Sequence, residues 1–177
     1  IIKHIPGHGK ARVDSHMSLP VVTDKKDILA SNDFLPFKIL SNMPIAMTAH
    51  ILYTDIDKSL PVTQSKKAYE YIRNIIKYKG ILISDDIEMS ALSGTIEDKV
   101  LSIINAGFDI ILHCSGNVNA TEEVLLNTPL LGESLSNKWK LCLGMIENVD
   151  ISVNKTIYKN EINKIFNDLL KLKLQYL

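Results

Sequence analysis

Three short apolar runs, each ending in polar residues, constrain this chain more than any other feature. Ile45-Ala46-Met47 runs into Thr48-Ala49-His50, Ile81-Leu82-Ile83 into Ser84-Asp85-Asp86, and residues 108–112 into His113-Cys114-Ser115. A strand that is apolar on both faces has to be covered on both, which is the situation of a parallel sheet flanked by helices. The stretches between the runs carry helix signals. Ser65 caps one predicted helix, which sets Ala68, Ile72, Ile75 and Ile76 on one face and is closed by Gly80. Thr95 and Asp98 form a capping box for the next, which turns Val100, Leu101 and Ile104 inward and stops at Gly107. Strand–helix alternation of this kind gives an α/β fold. In (β/α) barrels and open α/β sheets alike, the C-terminal ends of the strands carry the chemistry.

Three full strands and a stub at Ile1-Ile2 amount to about half of an eight-stranded barrel. The expected fold is therefore the C-terminal portion of a (β/α)8 TIM-type barrel, its first half missing, with extra C-terminal helices. A half-barrel leaves two sheet edges unpaired, a liability for a free monomer. Elsewhere, residues 21–24 lead into a helical stretch with Thr23 or Asp24 as N-cap, and Pro36 kinks or restarts it. Residues 121–126, 137–146 and 160–174 read as helices, the last with a stripe of Ile162, Ile165, Phe166, Leu169 and Leu170. The expected division is a partial barrel domain over 1–150 and a C-terminal helical segment over 151–177 packing on it.

Composition narrows the function classes. With 177 residues, 46% of them hydrophobic, the chain suffices for one sizeable domain. A net charge of zero gives no general pull toward nucleic acid or an anionic membrane. No apolar run reaches the roughly 18 residues of a membrane span. Cys114 and Cys142 are too few and too far apart for a disulfide framework, which favours a reducing, cytoplasmic setting.

Polar chemistry concentrates in residues 3–20, KHIPGHGKARVDSHMSLP, with His4, His8, His16, Lys3 and Asp14 around two glycines. Only one other cluster compares, Ser84-Asp85-Asp86, and the two are expected to form two walls of one site. A metal site is the first reading to test. Its spacing is unfavourable, because Pro6 and Gly7 prevent His4 and His8 from sharing a helical face, so no metal or other cofactor is expected. The second reading is acid–base catalysis. An Asp two residues before a His, in an extended segment, lies on the same face. Its carboxylate can fix the imidazole tautomer and raise the basicity of the free nitrogen. His16 then shuttles a proton, Gly7 and Gly9 let the loop close, and Asp85 is a positioned carboxylate nucleophile. A surface loop with a fortuitous Asp-x-His, beside an acid-rich helix start, accounts for the same residues equally well.

The segments KHIPGHG, DSHMSLP and ILISDDIEMSAL, in this order and separation, resemble the family 3 glycoside hydrolases. They are most similar to the bacterial β-N-acetylhexosaminidase (NagZ-like) branch, enzymes of peptidoglycan recycling. The resemblance covers residues 3–114, and its DSH segment sets this branch apart. It implies a retaining β-N-acetylhexosaminidase that removes terminal N-acetylglucosamine from peptidoglycan fragments. Asp85 would be the nucleophile, His16 the acid/base and Asp14 its partner. Lys3 and His4 would bind ring hydroxyls, and His50 would line the pocket. Asp86 would bond the following turn and His8 would pin the loop. Cys114 either lies near the pocket mouth or, the favoured reading, is a small buried apolar residue. The family also grips its sugar with an acidic residue and arginines from the first half of the barrel, positions that Arg12 and Arg73 do not match. The expected partner is an amino-sugar oligosaccharide or muropeptide, with a missing N-terminal half on another chain as a further possibility. A truncated non-catalytic remnant and a metal-dependent hydrolase are the alternatives.

Overall fold

The apolar runs form a parallel sheet. The structure, a computed structural model, describes residues 1–147. In chain order, β1 (Ile2–Ile5) and β2 (Val21–Val22) precede the short helices α1 (Lys26–Ser31) and α2 (Leu35–Ile39). Next, β3 (Ile45–Thr48) and β4 (Leu52–Tyr53) lead through a single 3-10 turn into α3 (Lys66–Asn74). β5 (Ile81–Asp86) is followed by α4 (Ile96–Ala106), and β6 (Ile110–Leu112) by α5 (Val118–Asn127) and α6 (Glu133–Glu147). The main sheet has the order β1-β3-β5-β6, every pair parallel. That order follows the chain without reversing. A barrel wall winds in this way, whereas a doubly wound sheet reverses at a switch point.

The two faces of the sheet bury different sets, as the period of two requires. Ala46 and Leu82, paired in register, join Ile5, Ile72, Val100 and Ile103 in the larger core under the helices. Ile45 and Ile81, also paired, turn to the other face. There they pack with Ile83 and Ile110 against Leu135 and Cys142 of α6. The compact unit spans Ile1–Cys142; of a second, Leu143–Leu177, only the end of α6 lies within the described residues. The expected stripe over 160–174 and the segment 151–177 lie outside them.

Several local expectations change. Lys3, His4 and Ile5 belong to a strand, not a loop, because Lys3 pairs with Met47 and Ile5 with Thr48. Val21 and Val22 are not a helix lead-in but pair with Leu52 and Tyr53 in a separate two-stranded parallel sheet. Neither Thr23 nor Asp24 caps α1. Its first turn is capped from a distance by Asp55, whose carboxylate accepts from the Lys26 amide at 2.9 Å. Pro36 sits in the first turn of α2 and restarts the helix. Helix α3 has its Ser65 cap but ends at Asn74, well before Gly80; the left-handed residue beyond it is Lys77, with φ 64°. The capping box of Thr95 and Asp98 and the left-handed Gly107 bound α4 as expected.

Candidate active site

The C-terminal ends of β1 and β5 bring His4 and Asp85 together. His4 Nε2 lies 3.4 Å from Asp85 Oδ2, with both side chains partly open to solvent. Burial pushes the His4 pKa down; Asp85 opposes this, while His8, Lys3 and His50 add to it. His4 is thus held toward the neutral imidazole, with one donor and one acceptor nitrogen. Lys3, beside it on the strand, is exposed.

Asp85 is held by its neighbours rather than by a charged partner alone. The Asp86 amide donates to Asp85 Oδ1 at 2.9 Å. On either side in the chain, Ser84 and Asp86 tie β5 to β6. Ser84 Oγ accepts from the Leu112 amide at 2.8 Å, and Asp86 Oδ1 accepts from the amides of Glu88 and Cys114. Asp86 therefore bonds the turn, as expected of it. From the other flank, His50 Nε2 bonds the Asp86 carbonyl at 2.9 Å while Nδ1 meets Thr63 Oγ1 at 2.8 Å. With both nitrogens engaged and 1% of its surface exposed, His50 does not line the pocket; it braces the strand ends from beneath. Cys114 corrects another expectation, since it is exposed. Its thiol is pushed up by desolvation and by Asp86 and Asp85, which lowers its thiolate fraction.

Asp14 and His16 do pair. Asp14 Oδ1 lies 2.9 Å from both the His16 backbone amide and the ring Nδ1. A turn makes this pair, not an extended segment: the amides of Met17 and Ser18 return to the Asp14 carbonyl. The His16 amide, and then its ring, hold the Asp14 carboxyl below the usual range. Nδ1 is thereby committed, and Nε2 is left for other work. Both side chains are exposed, and among the described residues no hydrogen bond or ion pair joins them to Asp85. The two walls are presented separately, one on strand tips and one on a loop. His8 stacks at a tilt against His4, ring centroids 5.4 Å apart. Among the described residues no group of three or more His, Cys, Asp or Glu side chains is placed to hold a metal ion.

Two residues that sequence reasoning missed hold the start of this loop. Asp33 Oδ1 accepts from the Gly9 amide at 3.0 Å, and the Tyr53 hydroxyl donates to the Gly7 carbonyl at 2.9 Å. A Cβ on Gly7 would sit 2.5 Å from Asp33 Oδ2 and one on Gly9 2.7 Å from Oδ1. The glycines are there to admit a carboxylate, not to free the loop. The paired glycines were the signal that something approaches closely; what approaches lies far along the chain. Arg73 is likewise structural, bonded to Asp109 at 2.7 Å and to the carbonyls of Tyr78 and Gly80.

Comparison with known proteins bears on this arrangement. Residues 1–139, which include Lys3, His4, Asp14, His16 and Asp85, match the glycosyl hydrolase family 3 N terminal domain. A β-hexosaminidase of Alkalilimnicola ehrlichii is 36% identical over 132 residues, 72% of this chain and 37% of that protein. Among solved structures, the β-N-acetylglucosaminidase from Thermotoga maritima is 37% identical with a TM-score of 0.60, over 82% of this chain and 33% of that one. NagZ from Neisseria gonorrhoeae in complex with N-trifluoroacetyl-D-glucosamine is 32% identical with a TM-score of 0.67, over 78% and 40% respectively. The chain thus spans little more than a third of the length of the curated relatives it matches. With its first 139 residues matching one domain family, and relatives above 30% identity covering two thirds or more of its length, this chain belongs to glycosyl hydrolase family 3.

Proposed function

We propose that the protein carrying this chain is a retaining β-N-acetylhexosaminidase. It removes terminal N-acetylglucosamine from peptidoglycan fragments in cytoplasmic cell-wall recycling, and β1, β3, β5 and β6 are the last four strands of its (β/α)8 barrel. One observation carries the reading. Asp85 stands at the tip of a buried strand beside His4, and the loop that continues from β1 holds a histidine whose Nδ1 is already committed to a carboxylate.

In this reading Asp85 attacks the anomeric carbon as His16 Nε2–H protonates the departing glycosidic oxygen, and an acyl-type glycosyl ester forms on Asp85. His16 Nε2, now basic, takes a proton from water. The resulting oxygen attacks the same carbon, the ester bond breaks, and the sugar leaves with its configuration retained. Asp14 holds Nδ1–H in place and stabilises the imidazolium that donates in the first step and forms again in the second. Lys3 and neutral His4 hydrogen-bond ring hydroxyls of the N-acetylglucosamine unit. A histidine stands where retaining glycosidases usually have a second carboxylate, so the rule linking carboxylate separation to stereochemistry does not apply.

The test uses aryl N-acetyl-β-glucosaminides of different leaving-group quality. Asp85→Asn should abolish turnover of all of them. His16→Ala should cost ~10²–10⁴-fold on a phenyl glycoside, the usual range for general acid–base catalysis. The loss should be much smaller in the first step on a dinitrophenyl glycoside, which needs no protonation, and azide should then accelerate release of the accumulated intermediate. Equal loss on both substrates with no response to azide would remove His16 from the acid/base role. Activity lost to a chelator and restored by zinc would replace the whole reading with a metal-dependent one.

A further inference from the structure

The loop between β1 and β2 starts and ends on a single buried tyrosine. At its end, Tyr53 pairs with Val22 in the β2–β4 ladder. At its start, the Tyr53 hydroxyl donates to the Gly7 carbonyl at 2.9 Å and reaches Asp33 Oδ2 at 3.4 Å. Asp33 then accepts from the Gly9 amide at 3.0 Å. Tyr53 is 1% exposed and packs edge-on against Phe34, ring centroids 5.1 Å apart, and Phe34 immediately follows Asp33. The aromatic contact thus fixes the two polar residues against each other. The absence of side chains at Gly7 and Gly9 lets the Asp33 carboxylate come within bonding range of the backbone.

We infer that Asp33, together with Tyr53, is a positioning residue for the loop that carries Asp14 and His16. The inference rests on the acid/base role proposed above for His16. Among the described residues neither forms a hydrogen bond or ion pair with His4 or Asp85; their polar contacts are to the loop, at Gly7 and Gly9. Burial, and then the Asp33 charge, raise the Tyr53 pKa, which keeps its hydroxyl a donor at any working pH. Positioning of this kind affects one chemical event selectively. Misplacement of a proton donor by about 1 Å costs on the order of 10²-fold, but only where a proton has to be delivered.

Three variants in the intact protein test this: Asp33→Ala, Tyr53→Phe and Asp33→Asn, beside His16→Ala. Each is assayed on phenyl and dinitrophenyl N-acetyl-β-glucosaminides, and exchange of the Gly9 amide proton is followed. Asp33→Ala and Tyr53→Phe should lose kcat/KM on the phenyl glycoside by ~10²-fold and by at least ~10-fold less on the dinitrophenyl glycoside. Asp33→Asn keeps an oxygen for the Gly9 amide and should recover most of the loss. Gly9 exchange should quicken in Asp33→Ala alone. Tyr53→Phe preserves the ring packing and decides the matter if Asp33→Ala does not fold. Equal losses on both substrates, with His16→Ala still discriminating between them, would reduce Asp33 to a purely structural role and overturn the inference while leaving the acid/base role intact. If His16→Ala fails to discriminate, the acid/base role falls and the inference falls with it.

Discussion

His4 and His50 are both pushed by burial toward the neutral form, although carboxylates stand near each of them. The consequence for stability follows from which state binds protons first. In the unfolded chain both imidazoles take up a proton near pH 6.5; in the folded chain they do so only at lower pH. Stability present above about pH 6.5 is therefore lost as the pH falls through the window below it. Asp14, Asp55, Asp57 and Asp98 are all held below the usual carboxylate range. Asp57 is so held although burial pushes it up, because bonds from Ser59, Ser65 and Leu60 outweigh that burial. The contribution of these carboxylates is lost only below about pH 4. Melting temperature measured from pH 8 to 3 should fall in two phases, and His50→Gln should flatten the first. A melting temperature that stays constant from pH 7 to 5 would show that these burials are compensated. At this scale the Asp14–His16 pair was legible because its partners are two residues apart, although a turn rather than an extended segment joins them. The place of His50 was not, since Thr63 and Asp86 reach it from other elements.

Helix ends show the same division between local and distant causes. The capping box of α4 was readable because Thr95 and Asp98 satisfy each other within one turn, at 3.1 and 3.0 Å. The end of α3 was misread, because Gly80 looked like a stop signal but has a different task. A Cβ there would lie 2.5 Å from the carbonyl oxygens of Met43 and Pro44, so Gly80 admits the chain that enters β3. Lys77 takes the left-handed turn instead. Gly80→Ala should therefore destabilise by about 1–3 kcal/mol, the range for overpacking. Lys77→Gly should be neutral or stabilise by up to about 1 kcal/mol, since a left-handed non-glycine residue costs roughly 1–2 kcal/mol and glycine returns part of that as chain entropy. Urea midpoints at constant slope measure both, and a destabilised Lys77→Gly would show that the left-handed turn at Lys77 carries no strain. The two-residue strands β2 and β4 carry no periodicity, and the distant Asp55 cap of α1 leaves no mark beside that helix. Neither was readable in advance.

Over the molecule as a whole, strand order was legible because each apolar run pairs with the next in sequence. Among the described residues β1 and β6 each have a neighbour on one side only. Apolar surface is open beside β6, where Leu126 is 80% and Leu130 98% exposed. A groove of about 530 Å³ runs there among Ile111, Val124 and Trp139. The isolated 177-residue chain should therefore self-associate and bind a hydrophobic dye. Light scattering behind a sizing column checks this, and a monodisperse monomer with one cooperative, high-temperature transition would contradict it. Finally, the loop that starts and ends on Tyr53 has a bearing on how such proteins diversify. Both of its feet are fixed, so residues added or removed between Gly9 and Pro20 leave the anchors where they are. Doubling the length of a flexible loop costs only about 0.6 kcal/mol in closure entropy. On the acid/base role proposed for His16, the same change would alter its reach toward the strand tips. Insertion and deletion in this arc would then be a route by which descendants of one sequence acquire different aglycone preferences while remaining almost equally stable.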